Sequence, residues 1–161
     1  MADLKYRFAT EDDIPLVLDY LRGLASHLRA AEGLTVTADQ LREILFEKRE
    51  AEVLLARLGE DEEVGFALFF PKPLVWTAQS NMYLEDLYVK PEYRGRGFGK
   101  EMMQELARIA CERGCRRIEW MCFHWNQPSI DFYHSLGAYT EDRWAVLRID
   151  GDALDNLARQ A

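Results

Sequence analysis

The stretch Tyr83-Leu84-Glu85-Asp86-Leu87-Tyr88-Val89-Lys90-Pro91-Glu92-Tyr93-Arg94-Gly95-Arg96-Gly97-Phe98-Gly99-Lys100 decides how the rest of the chain is read. Its pattern predicts a strand, a short turn at Pro91, a loop rich in arginine and glycine, and then a helix. Backbone N–H groups at a helix start have no intrahelical acceptor, and the helix dipole favours negative charge there, so such a loop suits a phosphate or pyrophosphate. Glycines let the main chain approach an anion and take angles closed to other residues. Arg94, Arg96 and Lys100 add positive charge to a chain whose formal net charge is −8.

Two familiar phosphate loops do not fit. Gly95, Gly97 and Gly99 are spaced G-x-G-x-G, not G-x-G-x-x-G. Gly99-Lys100 matches the middle of a P-loop, but Glu101 replaces its hydroxyl and Arg94 stands where its first glycine belongs. What remains is R-x-x-G-x-G between a strand and a helix. This resembles the acyl-CoA pyrophosphate loop of the GNAT acetyltransferases.

The 161 residues predict one domain over 1–161, long enough to bury a core without metal or disulfide support. No apolar run approaches a membrane span, and Met1-Ala2-Asp3-Leu4-Lys5 has no apolar signal-peptide core. Cys111, Cys115 and Cys122 are odd in number and lack zinc-like pairing, which reads as reduced, partly buried thiols in a cytoplasmic protein. The negative charge argues against nucleic acid as a partner and suits a small cation. His27, His124 and His134 occur singly, so no metal is expected.

Along the chain, Lys5-Tyr6-Arg7-Phe8 alternates as a first strand. Thr10 with Asp13 forms a capping box before a helix that runs to about Ala30, and Thr37 with Gln40 forms a second box before a helix through Leu41, Ile44 and Leu45. Residues 51–57 and 64–70 read as a hairpin, and Pro71-Lys72-Pro73 opens a loop carrying Trp76. Phe98, Met102, Leu106, Ile109 and Ala110 mark the buried face of the next helix, ended at Gly114. Residues 117–123 read as a strand, and Asn126 with Pro128 as the start of a helix ending at Gly137. Residues 143–149 read as a last strand and 152–159 as a closing helix. The four tryptophans, Trp76, Trp120, Trp125 and Trp144, read as core or cleft lining. This mixed order predicts an α/β fold.

Trp125-Asn126-Gln127-Pro128-Ser129-Ile130-Asp131-Phe132-Tyr133 is the second informative stretch. Seven residues are nearly two helical turns, so Asn126 and Tyr133 share a side of this helix, while Phe132 and Leu136 form an apolar pair directed to the core. Taken with Tyr83-Leu84-Glu85-Asp86, Tyr93-Arg94-Gly95 and Trp144, N-x-P-S-x-x-F-Y resembles the diamine (spermidine/spermine) acetyltransferase branch of the GNAT superfamily.

That resemblance implies a central, mostly antiparallel, splayed sheet flanked by helices in a single domain, and acetyl-CoA as acyl donor. It implies that Leu87, Tyr88 and Val89 meet the pantetheine arm, the main chain of Leu87 and Val89 pairing with it. Arg94, Gly95, Arg96, Gly97, Phe98, Gly99 and Lys100 then surround the pyrophosphate, with Asn126 and Ser129 also on the cofactor. Tyr133 protonates the departing thiolate, and Glu85 helps to deprotonate the amine; Asp86 and Glu32 are placed toward the substrate. Trp76 is placed there too, because it precedes the central strand. Glu85 and Asp86 are adjacent on a strand, so they point to opposite faces unless a bulge intervenes; only one easily faces the cleft, and Glu85 is favoured as base. Family members commonly form homodimers. The family's acidic stretch after the first helix retains only Glu32 here and gains Arg29, which disfavours a long polycation.

The expected activity is therefore acetyl-CoA-dependent acetylation of a primary amine on a polyamine, lysine or lysine analogue, by direct attack in a ternary complex. A protein amino group as acceptor, and a non-catalytic acyl-CoA sensor, are the alternatives.

Overall fold

Alternating apolar residues between positions 4 and 119 are gathered into one mixed sheet. The computed structural model describes residues 4–159 and divides into two compact units, Met1–Met121 and Cys122–Ala161. The reading of Met1-Ala2-Asp3 as lacking a leader lies outside the described residues.

In the first unit the strands are β1 (Leu4–Phe8), β2 (Glu52–Leu58), β3 (Glu62–Pro71), β4 (Ser80–Val89) and β5 (Cys115–Glu119), ordered β1-β2-β3-β4-β5. The first four pair antiparallel, and β5 joins β4 in parallel. Helices α1 (Ile14–His27), α2 (Ala38–Arg42) and α3 (Phe98–Glu112) complete this unit.

Both capping boxes form as the sequence predicts. Thr10 N–H donates to Asp13 Oδ2 at 2.8 Å, and Thr37 exchanges bonds with Gln40 at 3.0 and 3.3 Å. α1 stops at His27, short of Ala30, because Arg29 takes a left-handed φ of 56° that a helix cannot continue. After α2 the chain widens into a π-helical turn, Glu43–Glu47, which carries Leu45 into the core.

That core is continuous between the sheet and α1–α2. Val17, Leu55 and Phe66 are fully buried in it, and Tyr20 stacks on Phe66 with centroids 5.3 Å apart. The stripe Phe98, Met102, Leu106, Ile109 and Ala110 of α3 is buried as its spacing predicts, with α3 packed on β4 and β5. Burial of such apolar area is the main favourable term in the fold.

β5 ends at Glu119, so residues 120–123 leave the predicted strand early. Within the second unit, α4 (Gln127–Ser135) starts at the Asn126 cap, and α5 (Gly151–Arg159) closes the chain. Phe132 and Leu136 on and after α4 are half-buried, not core residues.

Residues 143–149 are not a strand: Trp144 is 76% exposed and Leu147 91%, and no ladder forms there among the described residues. Alternation makes a segment able to pair, but a strand exists only where a second strand supplies the ladder bonds. Cys111 is exposed and Cys115 and Cys122 are half-buried, all three free. Among the described residues no helix is long and apolar enough to cross a membrane.

Candidate active site

The functional stretch begins on β4, at two departures from a regular sheet. On its β3 side, Leu68 pairs with Asp86 and the next rung joins Phe69 to Leu84, leaving Glu85 as an extra residue without a partner. This is a β-bulge, which re-aims side chains at the cost of local pairing. Glu85 is exposed, whereas Asp86 is half-buried. Burial, and then the neighbouring Glu85 charge, push the Asp86 carboxyl up to about 7.

On its other side β4 pairs with β5 only as far as Tyr83↔Glu119, although its pairing with β3 continues to Val89. The two parallel strands have therefore parted before β4 ends. Lys90 N–H donates to Val64 O at 2.9 Å, and main-chain direction alternates along an antiparallel strand. The N–H and C=O groups of Leu87 and Val89 consequently turn away from β3, into the region β5 has left. Tyr88 is the opposite case. Its peptide groups face β3, and its side chain is buried against Tyr20 and Phe66, so its ring is core.

Beyond Val89 the chain makes a tight turn at Pro91–Tyr93 and enters the glycine loop. Gly95 and Gly97 take φ values of 74° and 86°, the left-handed region that favours glycine, and open space lies where a Cβ on either would project. Gly97 caps α3, whose first internal bonds run from the N–H groups of Lys100 and Glu101 to Gly97 O at 3.0 and 3.1 Å. The N–H groups of Phe98 and Gly99 precede those bonds and are available to a ligand. The Phe98 side chain is core, so this residue contributes only main chain. Alternating left-handed glycines ahead of a helix form a concavity of donors suited to an anion.

The cations of the loop are held in place. Arg96 lies over the rings of Tyr93 and Phe98, at 5.7 and 4.8 Å from their centroids. Arg94 donates from Nε to Val89 O at 2.9 Å, lies 5.5 Å from the Tyr88 ring centre, and meets His27 Nδ1 through Nη1 at 3.2 Å. The sequence offered no signal for His27, because it reaches the loop from the end of α1.

Among the remaining predicted residues, Trp76 is 98% exposed at the β3–β4 turn, and Glu32 is exposed after α1. Trp125 and Trp144 are exposed as well, so three of the tryptophans are surface residues and only Trp120 is partly covered.

In the second unit, Asn126 is buried and caps α4 through its carbonyl, which accepts from Ile130 N–H at 3.1 Å, while its side chain makes no capping bond. Ser129 is half-buried in the first turn. Tyr133 is also half-buried, and burial first and then Cys122 push its phenol up to about 12.

A mixed sheet parted beside a glycine-capped helix, with a carboxylate pair on the parting strand, suits transfer from a phosphate-bearing donor. The profile of the Acetyltransferase (GNAT) family matches residues 20–138, and the chain belongs to that family. It is 34% identical over 170 residues to a thialysine N-epsilon-acetyltransferase of Sus scrofa, covering 98% of this chain and 99% of the relative. It is 31% identical over 162 residues to the spermidine/spermine N(1)-acetyltransferase-like protein 1 of Homo sapiens, over 94% of this chain and 23% of that longer protein. These relatives fit the diamine branch. Among solved structures, an integron cassette protein from the mobile metagenome of V. cholerae superposes with a TM-score of 0.79 at 25% identity, covering 99% of both chains.

Proposed function

We propose that this acetyltransferase moves the acetyl group of acetyl-CoA onto a primary amine of a small cationic substrate of the lysine or thialysine kind. The observation that carries this reading is the bulge on β4, which sets a carboxyl titrating near neutrality next to main-chain groups facing the β4–β5 gap. Similarity along almost the full length to a thialysine acetyltransferase supports the substrate class.

The residues fit the acyl donor. Gly95, Gly97 and the open N–H groups of Phe98 and Gly99, with Arg94, Arg96 and Lys100, suit its diphosphate; Leu87 and Val89 offer main-chain partners to its pantetheine amides. Asn126 and Ser129 extend this set by resemblance. Acetyl-CoA supplies the activated thioester, and the protein supplies charge and proton handling.

An alkyl amine with a pKa of about 10.4 arrives protonated. Glu85, exposed on the bulge, attracts that charge, and Asp86 takes the proton, since a base is most effective with a pKa near the working pH. This moves the principal proton acceptor one residue from Glu85, which keeps its place in the route to solvent. The freed nitrogen attacks the thioester carbonyl; a C–N bond forms, the C–S bond breaks, the second nitrogen proton leaves to solvent along the Glu85 route, and the sulfur leaves as thiolate. By resemblance, Tyr133 gives that thiolate its phenolic proton and regains one from solvent. With its pKa at about 12, Tyr133 stays protonated throughout the working range; it is a weaker acid than the departing thiol, at about 8.5, so its proton moves together with C–S cleavage. Glu32, by resemblance, and Trp76, from its position ahead of β4, are assigned to the substrate.

We place the enzyme in the cytoplasm, supported by its free thiols, and as a homodimer, supported by the exposed apolar run Trp144, Val146, Leu147 and Ile149. A sedimentation experiment showing only monomer sinks the dimer. The function itself is tested by following thiol release from acetyl-CoA with thialysine, lysine and spermidine. Release with thialysine or lysine, and little with spermidine, is expected. Binding of CoA with no release for any amine identifies a sensor, and release only with a peptide identifies a protein acetyltransferase.

A further inference from the structure

We propose that His27 is a positioning residue of the acyl-CoA site: it fixes the guanidinium of Arg94 in the orientation that receives the diphosphate. This rests on the assignment of the glycine loop to acyl-CoA.

The contact is built from the sequence upward. Gly23 lets α1 lie against β4, since a Cβ there would stand 2.4 Å from the Tyr88 hydroxyl and 2.8 Å from its ring carbon Cζ. One helical turn further on, α1 ends at His27, which brings the imidazole over the start of the glycine loop. There Nδ1 lies 3.2 Å from Arg94 Nη1. A guanidinium has only donors, so the ring nitrogen must be the acceptor, and His27 is neutral in this arrangement. Partial burial, and then the Arg94 charge, lower the pKa of His27, consistent with a neutral ring.

Arg94 is thereby held at three points: Nε on Val89 O, Nη1 on His27, and Cζ 5.5 Å from the centre of the Tyr88 ring. Among the described residues nothing is bonded to Nη2. The fork thus keeps one edge for an incoming oxyanion, in the geometry that suits a phosphate. Fixing a long side chain before the ligand arrives removes an entropic cost from binding. Val89 O cannot do this alone, because a single bond through Nε leaves the guanidinium free to swing about it.

The test is a double-variant cycle read in CoA affinity by calorimetry and in steady-state kinetics, with thermal unfolding of each variant as a check on α1. His27→Ala is expected to raise the Kd for CoA and the KM for acetyl-CoA by about two- to tenfold, the worth of one ordinary hydrogen bond, with kcat near the wild-type value. His27→Gln, whose amide oxygen can accept from Nη1, is expected to restore most of that loss. In an Arg94→Ala background, His27→Ala is expected to do nothing further. An unchanged KM in His27→Ala, an equal loss in the Arg94→Ala background, or no rescue by glutamine overturns the inference while wild-type binding stands. Absence of any heat of CoA binding to the wild type overturns the loop assignment, and this inference with it.

Discussion

Asp86 stands opposite Leu68 in the β3–β4 ladder, while the next rung joins Leu84 to Phe69, so Glu85 bulges out between them. Two adjacent carboxylates on a strand would ordinarily face opposite sides of the sheet. The bulge breaks that alternation and sets an exposed acid beside a half-buried one.

The first prediction is a pH dependence of stability. The folded-state pKa of Asp86, about 7, lies above its unfolded value of about 3.9, so the folded protein binds the extra proton between these limits. Stability from this group is present below the lower limit and is lost as pH rises through the higher one. Asp86→Asn should therefore match the wild type near pH 4, gain on it up to pH 7, and level off above pH 8. About 1–3 kcal/mol is expected after allowance for partial exposure. Denaturant unfolding across this range checks it, and a difference that does not vary with pH counts against the buried carboxyl. In the same variant the neutral-pH limb of kcat should disappear.

Tyr133→Phe addresses the other proton. Positioned acids contribute roughly 10²- to 10⁴-fold, so turnover should drop by at least tens of fold with CoA affinity nearly intact. Because its pKa is about 12, the wild-type kcat should show no alkaline decline from this group below about pH 10. Unchanged turnover removes Tyr133 from the mechanism.

Gly97→Ala tests the loop. Nothing crowds the site of the added Cβ, so the cost is conformational: a φ of 86° in a residue with a side chain costs about 1–2 kcal/mol. A Tm lower by several degrees and weaker CoA binding are expected, measured by calorimetry. Gly33→Ala, at an uncrowded position without positive φ, is the control and should leave both unaltered.

Arg7 clasps Asp13 through two N–H donors, at 2.6 and 2.8 Å, joining β1 to the turn that starts α1. The Arg7 hydrogen bonds hold the Asp13 carboxyl at about 2, below its ordinary value. Its contribution is therefore present above about pH 4 and is lost as pH falls toward 2. Asp13→Asn should cost about 1–2 kcal/mol at pH 7, and the gap to the wild type should close in acid. Urea unfolding at pH 7 and pH 2 reads both ends.

Much of this was legible in the chain because local rules carry it. The boxes at Thr10–Asp13 and Thr37–Gln40, the stripe of α3 and the glycine loop each depend on residues within a turn of one another. The bulge was not legible, since it is a property of how β4 registers on β3. Nor was the contact of His27 with Arg94, which joins residues far apart in sequence. Residues 143–149 show the converse: their alternation reads as a strand, yet only a partner strand makes it one. Tyr88 and Phe98, cofactor contacts by resemblance, give their side chains to the core.

The parting of β4 from β5 means that the sheet is left unfinished by its own chain. A pantetheine arm lying in that opening would act as a surrogate strand, and cofactor capture would then complete the ladder that folding leaves incomplete. The apo protein should accordingly be softest at Leu87 and Val89, whose amide protons exchange fast alone and slow together once coenzyme A fills the gap.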